Sequence, residues 1–97
     1  MSEPSQFTVA GRVYRIERLR LGEIKALARI NEETFEIASD KLLDRFARMV
    51  EAVTARFGEQ RFVADDDAEC TAAELTFAAT LILRLAGFTQ GDAVGET

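Results

Sequence analysis

Residues 75–88 read LTFAATLILRLAGF, and this stretch decides the fold of the chain. A helical period of about 100° per residue gathers one broad apolar stripe. The stripe consists of Leu75, Ala78, Ala79, Ile82, Leu85 and Ala86. Phe77, Leu81 and Phe88 lie outside it, and they border a polar strip formed by Thr76, Thr80 and Arg84. A helix that is apolar on two sides is either packed between other elements or presents a surface to a partner.

Both ends of this helix carry local signals. Thr71 and Glu74 have the spacing of a capping box, in which each side chain bonds the other residue's backbone N–H. Gly87 followed by Phe88 is typical of a Schellman stop, because glycine adopts the left-handed conformation and the next residue adds an apolar contact.

A second amphipathic helix is predicted upstream. Ser39 is its expected N-cap, with Asp40 in the first turn, and Gly58 its expected stop. An Asp44–Arg48 pair is expected on the solvent side. The predicted buried face comprises Leu42, Phe46, Met49, Val50, Val53 and Phe57.

The N-terminal third predicts a β-hairpin followed by a shorter helix. Residues 7–19 alternate apolar and polar side chains around Ala10-Gly11, which suits a tight turn with φ > 0. Val13 to Leu19 is rich in β-forming residues. The first helix is expected from Leu21, and its predicted buried side comprises Leu21, Ile24, Leu27 and Ala28.

Together these patterns predict an α+β fold that is mainly α, with an N-terminal β-hairpin packed on about three helices. We expect residues 1–5 to be disordered, residues 6–88 to form a single domain and residues 89–97 to form a flexible tail. The conformation of residues 31–38 stays open at this stage.

Composition argues against an enzyme. The 97 residues include no histidine and one cysteine, Cys70. Ser-His and Cys-His dyads are therefore excluded, as are disulfides and thiolate metal cages within the chain. Residues 65–67 are three consecutive aspartates, which lack the spacing of a calcium loop and favour a solvated acidic loop. We expect no catalytic, cofactor-binding or metal-binding residues.

Charge is distributed unevenly. The chain has a net charge of −5, which argues against nucleic acid as a partner. Residues 11–30 carry six cations against two glutamates, a net of +4, so the remainder carries −9. This basic segment is either a solvated surface, a docking patch for an acidic partner or a nucleic-acid contact. Residues 1–4 are polar and show no signal peptide, and residues 75–88 are too short to span a membrane.

The two ends of the predicted domain resemble a known family. FTVAGRVYRIERLRLGEIKAL, residues 7–27, resembles the start of small bacteriophage tail assembly chaperones, in which a strand pair leads through a segment such as LRLGE into a helix. TAAELTFAATLILRLAGF, residues 71–88, is similar to their C-terminal helix. The resemblance extends over most of residues 6–88 and rests on apolar patterns with Gly11, Gly22 and Gly87.

That resemblance implies a non-enzymatic role in tail morphogenesis of a long-tailed phage or prophage, in the cytoplasm of a bacterial host. The expected partner is the tape-measure or tail tube protein, and a homo-oligomer is also expected. The side-chain pattern of the C-terminal helix, rather than the resemblance, makes Phe77, Leu81, Arg84 and Phe88 the expected partner-binding residues. Two alternatives remain open: a structural virion component, such as a connector or tail-completion protein, and a small DNA-binding regulator.

Overall fold

A computed structural model describes residues 5–31 and 39–88. Strands β1 (Ser5–Val9) and β2 (Arg12–Ile16) come first. Helices α1 (Leu21–Asn31) and α2 (Ser39–Thr54) follow, and a 3₁₀ segment (Ala55–Gln60) extends α2. Helix α3 (Ala72–Ala86) completes the domain. The described part of the chain thus has the predicted α+β architecture, a hairpin followed by three helices. The expectations for residues 1–4, 32–38 and 89–97 lie outside the described residues.

The hairpin has the predicted turn but a shorter second strand. Ala10 and Gly11 both have positive φ, 54° and 77°, as a two-residue turn between twisted strands requires. The strands pair antiparallel, with Phe7 opposite Tyr14. β1 begins at Ser5, one residue before the predicted start of the domain, and β2 ends at Ile16 rather than Leu19. β-forming residue types alone do not extend a strand beyond the end of its only described pairing partner.

One face of the hairpin closes the core. Phe7, Val9, Tyr14 and Ile16 are at most 3% exposed, and they lie on the face that alternation assigned to the interior. The Tyr14 ring lies 5.6 Å from Phe7 and 5.4 Å from Phe57, and its hydroxyl donates a hydrogen bond to the Gln60 carbonyl at 2.5 Å. The hairpin is therefore held by the 3₁₀ segment as well as by α3, which contacts β1.

Helix α2 supplies the other wall of the core. Met49, Val50 and Val53 are buried as predicted, and α2 packs on both α1 and α3. The α-helix ends at Thr54, earlier than expected, and the 3₁₀ segment continues to Gln60. The buried Thr54 hydroxyl donates to the Val50 carbonyl at 2.8 Å and accepts from the Phe62 amide at 3.0 Å, which brings Phe62 into the core. Gly58 does adopt positive φ, 64°, at the kink.

The rotation of α1 differs from the prediction. Leu27 is fully buried, whereas Leu21, expected on the same side, is 66% exposed. Leu21 is about 120° away from Leu27 around the helix. Glu23 lies closer to the Leu27 side, and its carboxylate forms a bidentate pair with Arg56 of the 3₁₀ segment, with 3.1 Å from Nε to Oε2. In this rotation Leu27 faces the core, Glu23 meets Arg56, and Leu21 lies in solvent.

The loop before α3 is acidic and exposed. Asp65, Asp66 and Asp67 are all exposed, and the Asp65 carboxylate accepts a hydrogen bond from the Asp67 amide at 3.0 Å. This arrangement agrees with a solvated loop. In the described ranges, no three His, Cys, Asp or Glu side chains are grouped so that they could hold a metal ion.

Candidate protein-binding surface on α3

Both ends of α3 are fixed by the predicted caps. The Glu74 amide donates to the Thr71 hydroxyl at 3.0 Å, and the Thr71 amide donates to the Glu74 carboxylate at 3.1 Å. At the other end, Gly87 has φ 85°. Its amide bonds the Arg84 carbonyl at 3.1 Å, and the Phe88 amide bonds the Leu83 carbonyl at 2.9 Å, the pattern of a Schellman motif. The position of every side chain along α3 therefore follows from local signals in the sequence.

The inner face of α3 is buried in the core. Leu75, Ala78, Ala79 and Ile82 are at most 7% exposed, because α2 and β1 both pack on them. The two alanines allow close approach of the neighbouring backbones. This predicted stripe sets the rotation of the helix and directs the opposite face outward.

The outer face of α3 is a shallow groove that is largely apolar. Phe77 is 58% exposed at its centre, and Leu81, one turn later, is half-buried. The groove encloses about 530 Å³, and among the described residues it is lined by Ala73, Thr76, Phe77, Thr80, Leu81 and Arg84. The sequence leaves two arrangements open for Phe77, and the elements of residues 5–31 and 39–88 do not enclose it.

Three of the four predicted partner-binding residues line this groove together. Phe77, Leu81 and Arg84 occur on consecutive turns. Phe88 does not line it: its side chain is partly buried against the core, next to the Schellman motif. Leu81 also touches the core, so it serves both the groove and the fold. Sequence analysis did not identify Ala73 as part of the surface, although helical spacing places it one turn before Phe77.

A second cleft, about 410 Å³, lies between the tip of the hairpin and the loop before α3. Arg12 and Arg61 line it together with the acidic side chains of Glu59, Asp65 and Asp67. Both charge signs are thus mixed within one small volume, and the lining gives no single class of ligand an electrostatic preference. The α3 groove has a simpler chemistry, since Arg84 is the only charged side chain among its described lining residues.

The basic segment spans the hairpin, the connection after it and α1. Arg12 lies at the hairpin tip, where its guanidinium approaches the Glu59 carbonyl at 3.5 Å. The other five cations of the segment are exposed on β2, on the connection and on α1: Arg15, Arg18, Arg20, Lys25 and Arg29.

Cys70 is half-buried immediately before the Thr71 cap. Burial, together with the nearby negative charge of Glu74, raises the pKa of its thiol above the usual 9.0. Because the thiolate is the reactive form, this position suppresses nucleophilic chemistry at neutral pH.

No protein-family model, curated protein or solved structure matches the chain. Among the helices of residues 5–31 and 39–88, none is long and apolar enough to cross a membrane.

Proposed function

We propose that the protein is a non-enzymatic tail assembly chaperone of a long-tailed phage or prophage, which binds an apolar helical stretch of the tape-measure protein in the α3 groove. One observation carries the proposal: Phe77 is 58% exposed at the centre of an apolar groove on a rigid, doubly capped helix. Burying a fully exposed side chain of this kind is worth about 1.5–3 kcal/mol, so burial of the exposed 58% of Phe77 by a partner is worth about 1–2 kcal/mol.

The shape of the groove favours a helical ligand. Its lining runs from Ala73 to Arg84, which is about 16 Å along the helix axis at 1.5 Å per residue. Phe77 and Leu81 are one turn apart and provide two anchors, the usual arrangement in helix-in-groove recognition. A tape-measure protein, whose long apolar helical stretches need protection before assembly, is a ligand of this kind in the family that residues 7–27 and 71–88 resemble.

Co-expression with a tape-measure fragment tests the proposal. The fragment is an apolar helical segment of a phage tape-measure protein, and its soluble fraction is measured with and without this protein. We expect a higher soluble fraction and co-purification. An unchanged soluble fraction without co-purification would contradict the proposal.

The variant Phe77→Ser makes the test specific to α3. It should abolish the gain in solubility while leaving the helix content unchanged. Leu21→Ser is the matched control, because Leu21 is an equally exposed apolar side chain, at 66%, on a different helix. Loss of activity in both variants would indicate nonspecific hydrophobic binding instead of recognition by the groove.

Mass spectrometry of purified particles separates a chaperone from a structural component. A chaperone leaves before the tail is complete, so its peptides should be absent from finished particles. Stoichiometric amounts in the particles would instead support a connector or tail-completion protein.

A further inference from the structure

The outer face of α3 is self-complementary in both shape and charge. Phe77 projects from it, and the small side chains of Ala73, Thr76 and Thr80 leave one flank of the groove shallow. Helix α3 also has opposite charges toward its two ends: Arg84 in the last turn lines the groove, and Glu74 in the first turn borders it, about 60° from Phe77 around the helix. A surface that contains both a projection and a hollow can meet a copy of itself through a two-fold axis, which uses each contact twice.

The spacing of these residues selects an antiparallel arrangement. Ala79 lies midway along α3 between two pairs of residues. Phe77 and Leu81 are each two residues from it, about 3 Å along the helix axis. Glu74 and Arg84 are each five residues from it, about 7.5 Å along the axis. A two-fold axis at the level of Ala79 therefore brings Phe77 of one copy to the height of Leu81 of the other. The same axis brings Arg84 to the height of Glu74. A parallel arrangement would instead place like charges side by side.

We propose that a second copy of this chain occupies the α3 groove, forming an antiparallel α3–α3 dimer in which Phe77 packs on Leu81 and Arg84 pairs with Glu74 across the interface. Small residues on the flank permit the helix axes to approach to about 8–10 Å. One helix face per copy is a small interface, so the dimer is weak and exchanges readily. Because the two occupants share one groove, the dimer must open before a tape-measure helix binds. This consequence rests on the proposed function, whereas the dimer itself does not.

Sedimentation equilibrium of the purified chain alone tests the dimer. We expect a reversible monomer–dimer equilibrium, with dissociation in the micromolar range or weaker. Phe77→Ser should weaken dimerisation at least tenfold, while Leu21→Ser should leave it unchanged. A chain that remains monomeric up to about 1 mM would overturn the proposal. That result would leave the co-expression test of the chaperone unaffected, so the two proposals fail separately.

A double-mutant cycle tests the predicted ion pair. Arg84→Gln and Glu74→Gln should each weaken the dimer about threefold, and the double variant should be no weaker than either single variant. The glutamine side chain in Glu74→Gln still provides the acceptor that the capping box needs, so the start of α3 is preserved. Independent, multiplying effects would show that these two side chains do not meet across the interface.

Cysteine cross-linking distinguishes the two orientations. In a Cys70→Ala background, Thr80→Cys places the two thiols near the two-fold axis, whereas Ala73→Cys separates them by about 18 Å along the axis. Under mild oxidation, we expect Thr80→Cys to form a covalent dimer at least ten times faster than Ala73→Cys. Comparable rates for the two variants, or faster cross-linking of Ala73→Cys, would overturn the proposed arrangement, because a parallel pair brings both positions equally close to their counterparts.

Discussion

The inner and outer faces of α3 both contain large apolar side chains but differ in what covers them. The inner face is sealed by α2 and β1, with Ile82 fully buried. The outer face keeps Phe77 58% exposed in a groove that ends at Arg84. Hydrophobicity alone therefore does not define a core. Burial requires a neighbouring element, and the described part of the chain provides one on a single side of α3.

The sharpest test of this contrast is Ile82→Ala on the sealed face. The variant removes three carbons from a position with no exposure, so we expect the free energy of unfolding to fall by about 2–5 kcal/mol. Urea unfolding followed by circular dichroism measures the loss. Ile82→Val, which removes one methyl group, should cost about 0.5–1.5 kcal/mol. Equal stability of all three proteins would mean that the inner face is not the packed one.

The next largest effect on stability is expected at the ion pair between α1 and the 3₁₀ segment. The Glu23 side chain is only 12% exposed and pairs with Arg56 at 19% exposure, and the Arg20 amide also donates to it at 2.8 Å. We expect Glu23→Gln to reduce the free energy of unfolding at neutral pH by about 1–2 kcal/mol, because Arg56 loses a charged partner. Asp44→Asn is the control: that pair is exposed and should contribute no more than about 0.5 kcal/mol.

The same pair predicts a pH dependence. Burial opposes ionisation of Glu23, but the hydrogen bonds from Arg56 and Arg20 and their positive charges outweigh it and lower the pKa below 4.5. The folded state therefore binds fewer protons at this site than the unfolded state. Its contribution is complete above about pH 4.5 and is lost as pH falls through the folded-state pKa. The stability difference between wild type and Glu23→Gln should shrink in acid; a constant difference down to about pH 3 would contradict this.

Local signals predicted the architecture because each depends on residues within five positions of one another. The turn at Ala10 and Gly11, the Thr71–Glu74 box and the Gly87 stop are all of this kind, and all three are confirmed. With the caps fixed, periodicity alone identified which side of α3 faces the core.

A prediction that proved wrong concerns a feature determined by residues that are far apart in the sequence. The spacing within α1 predicts Leu21 in the core, but the rotation of α1 depends on contacts with distant elements, such as the pairing of Glu23 with Arg56, 33 residues away, and this rotation exposes Leu21. The exposure of Phe77 was left open for a similar reason. Periodicity gives the direction of a side chain from its helix, whereas its exposure depends on whether another segment of the chain reaches that side.

A smaller effect on the free energy of unfolding is expected at the N-cap of α3, on which both faces of the helix depend. Thr71→Ala removes the acceptor of the Glu74 amide and should cost about 1 kcal/mol. Thr71→Ser keeps the hydroxyl and should be nearly neutral. Thermal unfolding monitored by circular dichroism measures both. If binding by the groove weakens in Thr71→Ala only as far as the folded fraction falls, the cap supports the outer face through helix formation alone.

The smallest change in the free energy of unfolding is expected on the outer face of α3. The size of this change distinguishes an exposed binding surface from side chains that are packed within the fold. Phe77→Ser removes a side chain that is mostly in solvent, so the free energy of unfolding should change by no more than about 0.5 kcal/mol. Leu81→Ser should cost more, because Leu81 also touches the core. Urea unfolding at protein concentrations below the dimer range measures both. A loss above about 2 kcal/mol for Phe77→Ser would place that ring inside the folded monomer and remove the basis for any partner at this face.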